Sequence, residues 1–94
     1  MGRAVVNLSL GILFSHAIDL AVEAVLAAGI VVVVAAGNEG VDTGRMSPAS
    51  AAGLITVGML DETETIVVSS NFGPHVDVFA PGFEIVTMDH ADAW

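Results

Sequence analysis

The run Ala27-Ala28-Gly29-Ile30-Val31-Val32-Val33-Val34-Ala35-Ala36-Gly37-Asn38-Glu39-Gly40 decides how the rest of the chain is read. It predicts a helix end, a buried strand and a glycine-flanked polar loop in immediate succession. Gly29 is a natural helix stop, because a residue without Cβ enters the left-handed conformation cheaply. Residues 30–36 are continuously apolar and rich in β-branched side chains, with none of the alternation of a half-exposed strand. Such a run belongs to a strand covered on both faces, as in a parallel sheet. It stops at Gly37-Asn38, and the carboxyl end of a buried parallel strand is where α/β proteins place their chemistry.

Toward the N-terminus, residues 4–10 read as a first strand ended by Gly11. Ser15 is placed to cap a helix over 16–28, with Asp19 near its positive end. Ile18, Ala21, Val22, Val25 and Ala28 recur at helical spacing as an apolar face, and Asp19 and Glu23 fall one turn apart on the opposite side. Strand, helix and strand in this order predict a βαβ crossover, right-handed and with parallel strands. Residues 10–12 and 36–38 then flank one crevice at a common sheet edge. Glycines there either admit the backbone of a ligand or simply turn the chain.

Toward the C-terminus, residues 39–50 read as loop, broken by Gly40, Gly44 and Pro48. A third strand is expected over 54–59, a polar turn over 61–65 and a short strand over 66–68. A turn over 71–74 leads to an alternating strand over 76–80, which Pro81-Gly82 breaks, and a last short strand is expected over 84–87. Residues 88–94 carry no pattern and are expected to fray. There is no internal repeat, and residues 1–94 leave room for one small domain. The fold class is therefore α/β, a mostly parallel sheet built around a βαβ crossover.

The chain is 54% hydrophobic with a net charge of -9, an apolar content high for so short a sequence. That excess suggests a core belonging to something larger, either a longer protein or an assembly. Two basic residues against eleven acidic ones leave no patch to neutralise phosphates, which argues against nucleic acid. The acidity is concentrated after residue 38, where Arg45 faces nine carboxylates, as a solvated surface or a cation-binding one. Without cysteine there is neither a disulfide framework nor a thiolate metal site. The apolar run 24–37 is too short to span a bilayer, so no membrane contact is expected. No secretory leader is visible at the start of the sequence. Gly37-Asn38-Glu39-Gly40 lacks the lysine and glycine spacing of a phosphate loop.

Six blocks carry a resemblance: Ser9-Leu10-Gly11, Val33-Val34-Ala35-Ala36-Gly37-Asn38-Glu39, Ser47-Pro48-Ala49-Ser50, Ile55-Thr56-Val57-Gly58, Ser70-Asn71-Phe72-Gly73 and Val76-Asp77-Val78-Phe79-Ala80-Pro81-Gly82. In this order and at these gaps they resemble the subtilisin-like serine proteases, most closely the proteinase K-like branch, over residues 4–87. The resemblance implies a partial subtilisin-like fold and a role for each matching residue. Asn38 matches the oxyanion-hole asparagine. Ser9, Leu10 and Gly11 match the segment that pairs with an extended peptide substrate as an added strand. Ala35, Ala36 and Gly37 match one wall of the pocket for the residue before the cleaved bond. The carbonyls of Ala52 and Leu54 and the carboxylate of Asp77 match a structural calcium (Ca2+) site, with oxygen ligands that suit a hard cation. Secretion is implied in the same way, since most members of the family are secreted. No organic cofactor is implied.

The departures matter as much. The Gly-Thr-Ser-Met-Ala motif that houses the family's nucleophile does not occur in the sequence, and no block matches those of the catalytic aspartate and histidine. Ile12 stands where the family usually has a second glycine, and is expected to crowd the substrate segment. His16, His75 and His90 are the available bases, and Ser9, Ser15, Ser47, Ser50, Ser69 and Ser70 the available nucleophiles, but none lies in a sharp nucleophile turn. Two functions follow. One is a segment of a serine endopeptidase with oxyanion donor and substrate strands, inactive alone. The other is a non-catalytic peptide-binding or interaction module derived from a subtilase. Unpaired strand edges further imply self-association or docking of missing protease segments.

Overall fold

The computed structural model describes residues 3–88. Its centre is a four-stranded parallel sheet in the order β1-β3-β5-β6, formed by Val5–Leu8, Val31–Ala35, Ile55–Leu60 and Val78–Pro81. The helix α1, His16–Ala27, connects β1 to β3 as the crossover that the sequence predicts. Ser15 caps it: its Oγ accepts from the Ile18 amide at 3.4 Å. Gly29, at φ +84°, turns the chain out of the helix and into β3.

The helix packs on one face of the sheet. Val22 meets Val32 and Val34 there, with Ala49, Ala51 and Leu54 closing the cluster and Val6, Leu8, Val25 and Leu26 packed around it. Full burial of a valine is worth about 1.5–3 kcal/mol, so Val32 and Val34 anchor the helix. The predicted helical face is only partly used: Val22 is buried, Ile18 and Val25 are half-buried, and Ala21 and Ala28 stay exposed.

Asp19 departs from the expectation of a solvent-facing carboxylate. It is buried, because Ser50 packs against the first turn of α1 and donates its hydroxyl to Asp19 Oδ2. Ser47 joins the same seam, its Oγ accepting from the Ser15 amide at 2.8 Å and donating to the Ser15 carbonyl at 3.2 Å. This polar seam holds the 46–51 segment against the start of the helix.

Three other elements differ from the sequence reading. Ile12–Leu13 (β2) and Met46–Ser47 (β4) form a small antiparallel ribbon, placed by the pairs Ile12↔Ser47 and Leu13↔Met46. Residues 66–68 make only a single bridge, Leu60↔Ile66, in place of a strand. Residues 84–87 are exposed and outside regular structure, with Ile85 more than half exposed and Val86 almost wholly so. The expected fraying tail lies, apart from Met88, outside the described residues.

The other face of the sheet has no cover among the described residues. Register places Val5, Val31, Ile55 and Val78 on one side, and all four are exposed. The two-sided burial predicted for residues 30–36 is thus met on one side alone. Alternate β3 residues Val32 and Val34 are 0% and 1% exposed, while Val31 at the start of the strand is 45% exposed.

Candidate functional site

The carboxyl ends of the four parallel strands converge on a crevice of about 380 Å³. Asn7 and Ser9 line it from the end of β1, Ala35, Gly37 and Asn38 from the end of β3, and Ala80 to Gly82 from β6. The βαβ reading places residues 10–12 and 36–38 on this edge; Gly37 and Asn38 line the crevice, whereas Leu10, Gly11 and Ile12 do not. Ser9 reaches the crevice, whereas Leu10 and Gly11 continue past it as exposed, irregular chain toward β2. Ala35 and Gly37 form the near wall, and Ala36 is buried beneath it with its amide bonded to the Val57 carbonyl at 2.8 Å. Ile12 pairs with Ser47 in the ribbon and is half exposed, outside the crevice lining.

Asn38 is exposed on a bend immediately after β3 and lines the crevice. Its side-chain amide carries N–H donors as well as a carbonyl acceptor. The bend itself depends on Gly37, at φ +106°. A Cβ at Gly37 would collide with Asn71 Nδ2 and lie 2.6 Å from Glu39 Oε2, so glycine is required for space as well as for backbone.

Asn71 is the residue that sequence reasoning passed over. It is fully buried, and every hydrogen-bonding capacity of its amide is used on the loop that carries Asn38. Its Oδ1 accepts from the Glu39 and Val41 amides, each at 3.0 Å. Its Nδ2 donates to the Ala36 carbonyl at 2.9 Å and to Glu39 Oε2 at 2.7 Å. Its own backbone amide donates to the Gly37 carbonyl at 2.9 Å. The only signal in the sequence was a polar amide inside the Ser70-Asn71-Phe72-Gly73 block, which reads as an ordinary turn.

Asp77 lies away from the crevice, just before β6. Its Oδ2 accepts from the Thr56 amide at 2.8 Å, and its own amide donates to the Thr56 carbonyl at 2.9 Å. Ala52 is exposed in the turn that leads into β5, and Leu54 is buried at its start. Among the described residues, no group of three or more histidine, aspartate or glutamate side chains converges on one point. The serines bond elsewhere than to histidine: Ser47 and Ser50 join the Asp19 seam, and Ser70 accepts from the Met59 amide and donates to the Asn71 carbonyl. His90 lies outside the described residues.

The Subtilase family model, Peptidase_S8, matches residues 1–93. The chain belongs to the subtilase family. It is 49% identical over 84 residues to Subtilisin-like protease 2 of Pseudogymnoascus destructans, covering 89% of this chain and 21% of that protein. Similarity to Alkaline protease 1 of Aspergillus clavatus is 45% over 86 residues, 92% of this chain and 21% of the relative. Among solved structures, a cold adapted subtilisin-like serine proteinase superposes with a TM-score of 0.87 at 39% identity, over 90% of this chain and 31% of that one. The partial subtilisin-like α/β fold expected from the sequence is therefore established. The chain spans about a fifth of the length of these curated relatives.

Proposed function

We propose that this subtilase segment supplies the oxyanion donor and the substrate-binding edge of a serine endopeptidase, and hydrolyses no peptide by itself. The observation that carries the reading is the position of Asn38, at the mouth of a crevice formed by the blocks that match the family. Peptide-bond cleavage by acyl transfer builds negative charge on the scissile carbonyl oxygen, and a fixed amide N–H at that point stabilises it. Ser9, Leu10 and Gly11 offer exposed backbone beside the crevice for an extended peptide, and Ala35, Ala36 and Gly37 bound the adjoining pocket. The nucleophile and its base come from chain beyond these residues.

The test is a chimera in which residues 4–87 replace the matching segment of Alkaline protease 1 of Aspergillus clavatus. It should cleave peptides, and Asn38→Ala in it should lower kcat by about 10²–10³, the size already established for the corresponding donor of subtilisin. An Asn38→Ala chimera as fast as its parent would overturn the assignment. The same reading puts the natural product outside the cell at a mass well above 9.6 kDa, which immunoblotting of culture medium would reveal. A cell-associated band at that lower mass would favour a stand-alone peptide-binding module instead.

A structural calcium ion belongs to the proposal. Asp77 is pinned by the Thr56 amide through one carboxylate oxygen, which leaves the other outside that bond near the start of β5. With the carbonyls of Ala52 and Leu54 this makes an all-oxygen donor set suited to a hard cation. Calcium should raise the midpoint of thermal unfolding, and Asp77→Asn should remove the rise. An equal rise in the variant would discard the site.

A further inference from the structure

We infer that Asn71 is a positioning residue for Asn38, acting with Glu39, and that the crevice loses its donor when this pair is broken. The inference rests on the oxyanion reading of Asn38 given above. Asn38 sits on a short exposed segment between two glycines, Gly37 and Gly40, both at positive φ. Left to itself, such a segment would sample many backbone conformations. Four hydrogen bonds from one buried side chain remove that freedom. Asn71 grips the loop on both sides of Asn38, at Ala36 before it and at Glu39 and Val41 after it, and leaves residue 38 itself untouched.

The direction of the Asn71 amide is set as well. Oδ1 faces two backbone N–H donors, while Nδ2 faces a carbonyl and a carboxylate. A flipped amide would set oxygen against oxygen and N–H against N–H, so Glu39 acts as a latch for one orientation. The grip passes through the space that a Cβ at Gly37 would fill, so Gly37 and Asn71 form one device from opposite ends of the loop. Asn71 is itself held, because Ser70 bonds to the Met59 amide of β5 at 3.0 Å. The donor's position is therefore referred back to the sheet. Misplacing a catalytic group by about 1 Å is enough to cost about 10²-fold in rate.

The test measures kcat and KM separately in the chimera described above. Asn71→Ala should lower kcat by about 10- to 100-fold with little change in KM, because the donor acts on the transition state. Combined with Asn38→Ala, it should add nothing to the loss that Asn38→Ala causes alone. A general structural weakening would instead multiply the two losses, and that result would overturn the inference. Should Asn71→Ala fail to fold, Glu39→Ala replaces it, since Glu39 is exposed and its loss removes only the latch. It should lower kcat by a smaller factor, about 3- to 10-fold, again at constant KM. Unchanged kcat in Glu39→Ala and Asn71→Ala, with Asn38→Ala still slow, would refute the positioning role and leave the oxyanion reading standing. In the chain alone, amide exchange at Glu39 and Val41 should accelerate in Asn71→Ala; continued protection would also overturn the inference.

Discussion

The two faces of the parallel sheet are built from nearly the same residues and have different fates. One face carries Val32, Val34 and Thr56 under α1 and the 46–54 segment; the other carries Val5, Val31, Ile55 and Val78 with no cover among the described residues. The difference shows that the β-branched run of β3 encodes a two-sided strand, while the described residues furnish one side. Large exposed apolar patches generally mark places where proteins associate.

The sharpest way to break the comparison is to shorten one valine on each face. Val34→Ala should lower unfolding free energy by about 2–3 kcal/mol, between the losses for one buried methyl and for a whole leucine. Val31→Ala should cost under about 1 kcal/mol, as for a partly exposed strand position. Urea denaturation of the two variants compares them directly, and equal losses would mean that both faces are covered in solution. A second experiment asks what covers the open face. The chain should self-associate, with a sedimentation coefficient that rises with concentration, and Val31→Lys with Ile55→Lys should move that rise to about 10-fold higher concentration or beyond. A chain that stays monomeric throughout would show that the open face is tolerated bare.

The smallest effect is expected away from both faces, in the turn after β5. Asp61 accepts from the Thr63 hydroxyl and from the Thr65 and Thr63 amides, which together hold its carboxyl below the usual carboxylate range. A lowered folded-state pKa stabilises the fold above the unfolded value, and the gain is lost as pH falls through the lowered one. Acid titration of stability should therefore show a slight loss below about pH 4 that Asp61→Asn abolishes. Because the group is exposed, a large effect would mean that this turn packs against something else.

Much of the fold was legible because its signals are local. Ser15, the apolar spacing of α1 and Gly29 mark a helix with its start and stop, and the run after it marks β3. The β2–β4 ribbon was not legible, since two-residue strands have no periodicity and Ile12 meets Ser47 only through the tertiary fold. Residues 66–68 and 84–87 look like strands by composition, yet Val68 and Val86 are almost wholly exposed, and composition supplies no partner. Asp19 was misplaced for a similar reason: helical spacing puts it opposite the core, but Ser50, remote in sequence, provides the bond that makes burial tolerable. At the candidate site, Asn38 could be singled out by its place after a buried strand and by family likeness. Asn71 could not, because its four bonds all reach residues at least thirty positions away.

The strand order β1-β3-β5-β6 is also the order of synthesis. Each parallel strand is laid down beside the one made just before it, and none has to insert between two that are already paired. A nascent chain emerging N-terminus first could therefore zip this sheet outward from β1, with every new edge becoming the template for the next. The connections to close, residues 9–30, 36–54 and 61–77, are of similar length, so each step carries nearly the same entropy cost. In such a vectorial assembly the crevice cannot exist before β6 arrives. The crevice would then be the last part of the segment to form, after the helix-covered core is already in place.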